Sequence, residues 1–483
     1  MKKALSVVLC LVLVLAVLPV FVQADTGTPF TIGNPYENVD WDTWYQFKAQ
    51  LHVHTDASDG AVPKNEVIEI HYELGYDILA ITDHMTTGVR WDEIPRTVPL
   101  MRLLELDRTG FRPITPLTTE RREEIITGVG RYRPDGSPQP MLEVTQGNEL
   151  NGAVFRQNHV QGFFTDYGQG RLGVTLDFIR PMRGVDRTGG ISVINHPGDV
   201  HRATRDADPM TFFDRYPNWV DKFAYPLLRF QGSAAGIDIN SGWGNHTRYD
   251  RILYDRLLER LIPHGVVPWS FTWSDGHSHG EFDRAWTMHL MTELTTAELR
   301  RSMEEGTFFG FSRQPQQELG DNYWRGEGPA PVVNRITVCE ENGTIEINAD
   351  LYTEIRWVSH RTRAAHTGNT LDIVEHLNDD EFFVRAYVLG PGGVLYVQPF
   401  TVLRQGQTLP AAERIRNPFD YSVPLRWVAD FADVWARIFP ISNAMWGWLT
   451  RFDPQLDAPW LFNIISGWFN SQPTEPCPCH DNA

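Results

Sequence analysis

The residues with the clearest chemical potential are His52 and His54, with Asp59 five positions later. Side chains two apart on a strand project to the same face, so both imidazoles can meet one cation at the strand end while the following loop delivers the carboxylate. Alone, a His-x-His pair reads more readily as a surface feature. Its company changes that reading: Asp83-His84, Glu149, His159, His196, Asp275 and His277 follow, and twelve of the sixteen histidines fall between positions 52 and 289. Burying so many polar groups without ions or hydrogen bonds would be costly. Mixed imidazole and carboxylate ligands suit Zn, Mn or Fe rather than Ca. Two such ions roughly 3.5–4 Å apart can activate a water and stabilise both the attacking and the leaving oxygen of a phosphoryl displacement. Asp83 fits either a carboxylate that orients an imidazole or a helix cap.

These residues stand where apolar runs stop. The spacing predicts strands at 45–54, 77–82, 141–145, 159–164, 191–195, 234–239, 266–271 and 286–291, with helices at 63–74, 172–187, 248–264 and 296–304. Strand–helix alternation with ligand types at strand ends is the pattern of an α/β barrel whose site forms on one face. Two Arg-, Pro- and Asp-rich inserts, about 85–140 and 197–233, read as long loops. A Gly/Pro-rich stretch at 316–331 reads as a linker, and alternating runs over 332–403 as a small β-sandwich. The tail, 404–483, carries six tryptophans, few charges and a terminal Cys477-Pro478-Cys479-His480.

The ordered set HVHTDASDG (52–60), ITDH (81–84), GNE (147–149), NHVQGF (158–163), NHPG (195–198), GIDIN (236–240) and SDGH (274–277) resembles the polymerase-and-histidinol-phosphatase (PHP) family of metal-dependent phosphoesterases. The resemblance covers about 47–312 and implies a distorted seven-stranded (β/α) barrel over 47–315; the 332–403 segment looks like the β-module of secreted members. It further implies two to three divalent ions. One would be held by His52, His54, Glu149 and Asp275; Glu149 would bridge to a second held by His159 and His196. A third would lie between Asp59, His84 and His277. Glu149, Asp275 and His196 would then lie nearest the reaction, hydrolysis of a phosphomonoester or nucleotide-type phosphodiester by a hydroxide held on the ions.

Arg90, Arg202 and Arg205 follow ligand motifs and are candidates for binding the substrate phosphate. His201, His246 and His279 read as rim residues, and His71, His264 and His289 as ordinary histidines within elements. An amidohydrolase-like amide or ester hydrolase is the alternative chemistry, though no lysine follows a predicted strand in the position of a carboxylated bridge. A surface-attached binding protein with a decayed barrel is the non-enzymatic alternative, disfavoured by the full set of ligand-type residues.

Composition bounds the rest. At 483 residues with 42% hydrophobic and 22% charged, the chain is globular and long enough for more than one core. Its net charge of −18 excludes non-specific capture of nucleic acid. Lys2-Lys3, the apolar run 4–22 and Val22-Gln23-Ala24 read as an export signal, with a mature start near Asp25 and a secreted or cell-surface protein as the result; residues 25–46 form a lead-in. An uncleaved anchor is the alternative, since the run nearly reaches the roughly 20 residues that span a bilayer. Four cysteines, one inside the signal, cannot frame a chain this size. The tail's tryptophans suggest packing on the barrel or, as a second reading, contact with a membrane or cell surface.

Overall fold

Phe47, Ala49 and Gln50 turn inward from the run Tyr45–Gln50, and strands of this kind, short and buried, make the frame. The computed structural model describes residues 29–99, 102, 106–153, 156–170, 178–198, 208–240, 245–314, 325–417 and 453–470. Among them the strands are β1 (Phe30–Gly33), β2 (Tyr45–Gln50), β3 (Ile78–Ala80), β4 (Leu142–Val144), β5 (Gly147–Ala153), β6 (Arg156–Phe163), β7 (Ile191–Ile194), β8 (Ala234–Asp238), β9 (Trp269–Phe271), β10 (Ala285–Met291) and β11 (Phe308–Ser312). The C-terminal strands are β12 (Val332–Cys339), β13 (Thr344–Asp350), β14 (Glu354–Ser359), β15 (Arg363–Thr367), β16 (Thr370–Asp372), β17 (Phe383–Gly390), β18 (Gly393–Tyr396) and β19 (Phe400–Arg404).

Two sheets carry the site. One runs β1-β19-β17-β18-β11-β10-β2-β3-β4, with β14 and β15 joined through β17; the other runs β5-β6-β7-β8-β9. β2, β3 and β4 are parallel, as are β7, β8 and β9. β5–β6–β7 and β2–β10–β11 are antiparallel. Isolated bridges Val53–Gly276 and His84–Glu149 join the sheets at the ends where the candidate ligands stand. Ala49, Ile78, Val144, Phe163, Val193, Phe271 and Met291 form one apolar cluster drawn from both sheets, so the two enclose a common core. The fold is therefore mixed α/β. Among the described residues the ladders do not close into a single ring, and the β5–β6 hairpin breaks the expected alternation.

Helices cover the outside: α1 (Lys64–Glu73), α2 (Thr119–Thr127), α3 (Ile179–Arg187), α4 (Pro209–Arg215), α5 (Asn218–Arg229), α6 (Asn245–Leu261), α7 (Thr296–Glu305) and α8 (Pro459–Asn470). α7 begins at a side-chain N-cap, the Thr295 hydroxyl accepting from Glu298 N, and ends at Gly306 in the left-handed region (φ 75°). Both inserts, read from sequence as loops, contain helices: α2 in the first, α4 and α5 in the second.

Of the C-terminal strands, β14, β15 and β17–β19 continue the first sheet, because β18 pairs with β11, while β12, β13 and β16 form a three-stranded sheet of their own. β1, within the lead-in, pairs with β19. The apolar run 394–402 divides into β18 and β19 around Gln398-Pro399. Gln398 instead turns its side chain to the free edge of β9, where its amide accepts from Ser270 N at 2.9 Å and donates to Ser270 O at 2.9 Å. A second tie is the ion pair of Arg385 with Asp255 of α6, at 2.6 Å and almost fully buried. Of the tail, 418–452 and 471–483 lie outside the described residues, with Trp427, Trp435, Trp446, Trp448 and the Cys-Pro-Cys-His end. Residues 453–470 pack on the first insert: Asp453 accepts from Thr97 N, Asp457 pairs with Arg96, and Phe462 stacks on Phe111 with centroids 5.3 Å apart. Among the described residues no helix is long and apolar enough to cross a membrane.

Candidate metal centre

Leu51 and Val53 point into the core with no exposure, which turns His52 and His54 together to the opposite face at the end of β2. The turn that follows is held by Asp83. Its carboxylate accepts from Thr55 N at 2.8 Å, Thr55 Oγ1 at 2.7 Å and Ser58 Oγ at 2.7 Å. Asp83 thus supports the loop that carries Asp59, a role distinct from the imidazole partner or helix cap read from sequence. Gly60 lets that loop close tightly, since a Cβ there would lie 2.7 Å from the His54 carbonyl carbon. His196 and Asp275 follow β7 and β9 with positive φ, 23° and 48°. Non-glycine residues in that region store strain, and both aim side chains into the site.

Glu149 stands at the centre, about 1% exposed. Its Oε1 lies 3.0 Å from His159 Nδ1 and 3.0 Å from His196 Nε2. Its Oε2 faces a different set: His84 Nδ1 at 3.1 Å, His54 Nε2 at 3.3 Å and His52 Nε2 at 3.5 Å. Asp275 Oδ1 lies 3.1 Å from His52 Nε2 and 3.2 Å from His54 Nε2. On the far side Asp59 Oδ2 lies 3.1 Å from His277 Nε2 and 3.4 Å from His84 Nε2, while Asp59 Oδ1 is 3.2 Å from His54 Nδ1. All nine side chains singled out as ligands come together. Three groupings have converging donor atoms: His52, His54, Glu149 and Asp275; His54, Asp59, His84 and His277; and His84, Glu149 and His159.

Burial would push the three carboxyls up, but the imidazoles around them outweigh it. Glu149 is held well below the usual range by His159, His52 and His84, Asp275 by His52 and His277, and Asp59 by His84, His277 and His54. Conversely, burial would lower His277, yet chiefly Asp59 lifts it to about 9. Three compensated anions in a buried site are what a cation pocket requires. The donor set fits divalent ions on a further observation. Asp275 Oδ1 and His84 Nδ1 are buried and, despite their close neighbours, find no partner aligned for a hydrogen bond. A cation between such atoms would satisfy them without a linear N–H···O geometry.

The candidate phosphate binders fare differently. Arg90 is gripped by Asp92, its Nε and Nη2 at 3.0 and 2.7 Å from the two carboxylate oxygens, on an exposed surface. Arg202 and Arg205, with His201, lie outside the described residues. His279 is exposed and pairs with Glu66 at 2.6 Å, apart from the cluster. His246 is buried near the start of α6. His71 and His289 are core histidines, His71 bonded to Val67 O within α1 and His289 to Thr287 on its own strand and Ser302 of α7. The buried Lys64 spends its ammonium on the carbonyls of Arg90 and Glu93, at 2.9 and 2.7 Å, and so bridges no ligands.

Two residues at the site escaped the sequence reading. Asp238, in the GIDIN motif at the end of β8, is fully buried; burial, then Asp250, raises its carboxyl well above the usual range. Asn195, in NHPG, donates to Glu149 Oε1 at 2.7 Å. Both sit in motifs that mark the site, but their partners are distant in sequence.

No family model matches the chain, and no curated protein matches it. Solved structures similar to it are PHP-like metal-dependent phosphoesterases and other hydrolases. One is a two-domain protein containing a predicted PHP-like metal-dependent phosphoesterase from Bacteroides vulgatus, 15% identical over 75% of this chain and 88% of that one, with a TM-score of 0.37. A second is an amidohydrolase from Chromobacterium violaceum, 16% identical over 54% and 96%, with a TM-score of 0.27. A third is the lesion-specific endonuclease of Pyrococcus furiosus, 11% identical over 54% and 56%, with a TM-score of 0.29. At that distance the chemistry has to be read from the site's own side chains.

Proposed function

We propose that this protein is a metal-dependent phosphoester hydrolase, acting on a small phosphomonoester or a nucleotide-type phosphodiester at a di- or trinuclear site in a distorted (β/α)7 barrel of the PHP type. The observation that carries the reading is Glu149, whose two oxygens face separate imidazole sets, the disposition of a carboxylate shared between two cations. His52, His54 and Asp275 would hold one ion with Glu149 Oε2, and His159 and His196 a second with Oε1. Asp59, His84 and His277 would hold a third. When bound, such ions polarise a phosphoryl oxygen and make a water acidic enough to attack it. The chain's residues do the rest. The buried ligands exclude bulk water, Ser58 Oγ meets His54 Nδ1 at 3.3 Å and so leaves Nε2 as the face turned to the cation, and Asp83 keeps the Asp59 loop in place.

Phosphoester rather than amide chemistry is supported by the seven ordered motifs, whose residues converge here, and by the commitment of Lys64 elsewhere. The signal-like N-terminus supports export, with a mature chain beginning near Asp25. Full-length protein, chelated and then reloaded separately with Mn2+, Zn2+ or Fe2+, should be assayed on phosphomonoester, phosphodiester and amide substrates. Phosphoester turnover that vanishes on chelation and returns with metal is the expected result. Amide turnover alone would move the protein to the other class.

A further inference from the structure

Asn195 is the last residue before His196, completely buried. Its backbone N donates to His159 O at 3.1 Å and its side-chain Nδ2 donates to Glu149 Oε1 at 2.7 Å. One residue therefore ties together the strand that bears His196, the strand that bears His159, and the carboxylate both imidazoles face. The orientation of the amide is fixed by its partner, because a carboxylate only accepts and must see the NH2 end. The other end, Oδ1, is buried without a hydrogen-bond partner, so the amide is retained for its contact with Glu149 at the cost of an unsatisfied oxygen.

A carboxylate oxygen offers about two lone-pair directions. With one direction on Oε1 taken by Asn195, the other is left for the space between His159 Nδ1 and His196 Nε2, and rotation of the Glu149 carboxylate about its terminal bond is stopped. We propose that Asn195 is a positioning residue that locks Glu149 so that Oε1 serves the His159/His196 pocket while Oε2 serves His52, His54 and His84. This rests on the metal-site reading above and deepens it. Without the lock Glu149 can turn both oxygens toward the three imidazoles on its other side, and the His159/His196 pocket loses the carboxylate oxygen that lies 3.0 Å from both imidazoles.

The test is a Mn2+ titration of the chelated full-length chain, with free Mn2+ read by electron paramagnetic resonance. Asn195→Leu keeps the volume and removes the donor; His159→Ala marks the binding step that belongs to the His159/His196 pocket. The expected result is that Asn195→Leu weakens that same step by about 10- to 100-fold, the usual effect of losing a partner behind a ligand, and leaves the other steps unchanged. Equal weakening of every step, or none, overturns the proposal. Wild-type protein that binds no Mn2+ would instead sink the metal reading itself, so the two failures are distinguishable. If urea unfolding shows Asn195→Leu to be misfolded, Asn195→Ala, which only deletes the amide, takes its place with the same expected pattern.

Discussion

Glu149→Gln keeps the shape of the central ligand and removes its charge. The amide introduced there would have one oxygen and one NH2 group to distribute. Asn195 donates to the Oε1 position, so the oxygen should stay there and the NH2 should face His52, His54 and His84, at 3.5, 3.3 and 3.1 Å in the native site. The ion held with His52, His54 and Asp275 should therefore weaken most. Two unit charges about 4 Å apart interact by about 4 kcal/mol at an effective dielectric of 20, and a divalent ion doubles that, so affinity should fall by at least about a thousandfold. Folding should change far less, since the side chain still fills its place. The assay is elemental analysis and Mn2+ titration of both proteins, with turnover at limiting metal and urea unfolding alongside. His279→Ala is the control, because its charged partner is the exposed Glu66 and metal content should not move. A Glu149→Gln protein with full metal content and near-native turnover would refute the shared-carboxylate reasoning.

Other perturbations follow from the same geometry. Asp83→Ala strands three buried donors, Thr55 N, Thr55 Oγ1 and Ser58 Oγ, and should cost about 3–5 kcal/mol in urea unfolding while loosening metal binding through Asp59. Arg385→Met removes the cation beside the buried Asp255 carboxylate, a loss of about 3–5 kcal/mol; adding Asp255→Leu should recover much of it in the same assay. His71 is buried neutral, its pKa pushed down by burial to about 4 against 6.5 unfolded. The unfolded chain therefore binds the extra proton as pH falls from 6.5 toward 4, and stability should drop by about 2 kcal/mol between pH 7 and 5 on this account, a difference that His71→Met should abolish in paired unfolding curves.

The ligand set was legible because each member is a chemically distinctive residue placed where an apolar run ends. β5 was not legible: Gly-Asn-Glu-Leu-Asn-Gly-Ala has little strand preference, and the segment becomes a strand by pairing with β6. α2 hid because Thr-Glu-Arg-Arg-Glu-Glu-Ile-Ile-Thr buries only Ile125, leaving no periodic apolar stripe. Asn195 was invisible as a support because an amide beside a histidine carries no local sign that a carboxylate 46 positions away will accept from it. The substrate side stays unread for a physical reason as well: the one candidate arginine with a described position, Arg90, is already neutralised by Asp92.

The amide of Gln398 on the edge of β9 has a mechanical meaning. A strand edge with no neighbour invites another chain to pair with it, and here the job of closing it falls to a side chain delivered by the last third of the sequence. β11 is protected in the same fashion by β18. A protease nick between β11 and β12 that let the C-terminal strands depart would thus expose two raw edges on the unit that holds the histidines. The fragment would be expected to aggregate before it lost its fold locally, and heating the intact chain should melt ligand-bearing and C-terminal strands in one cooperative step.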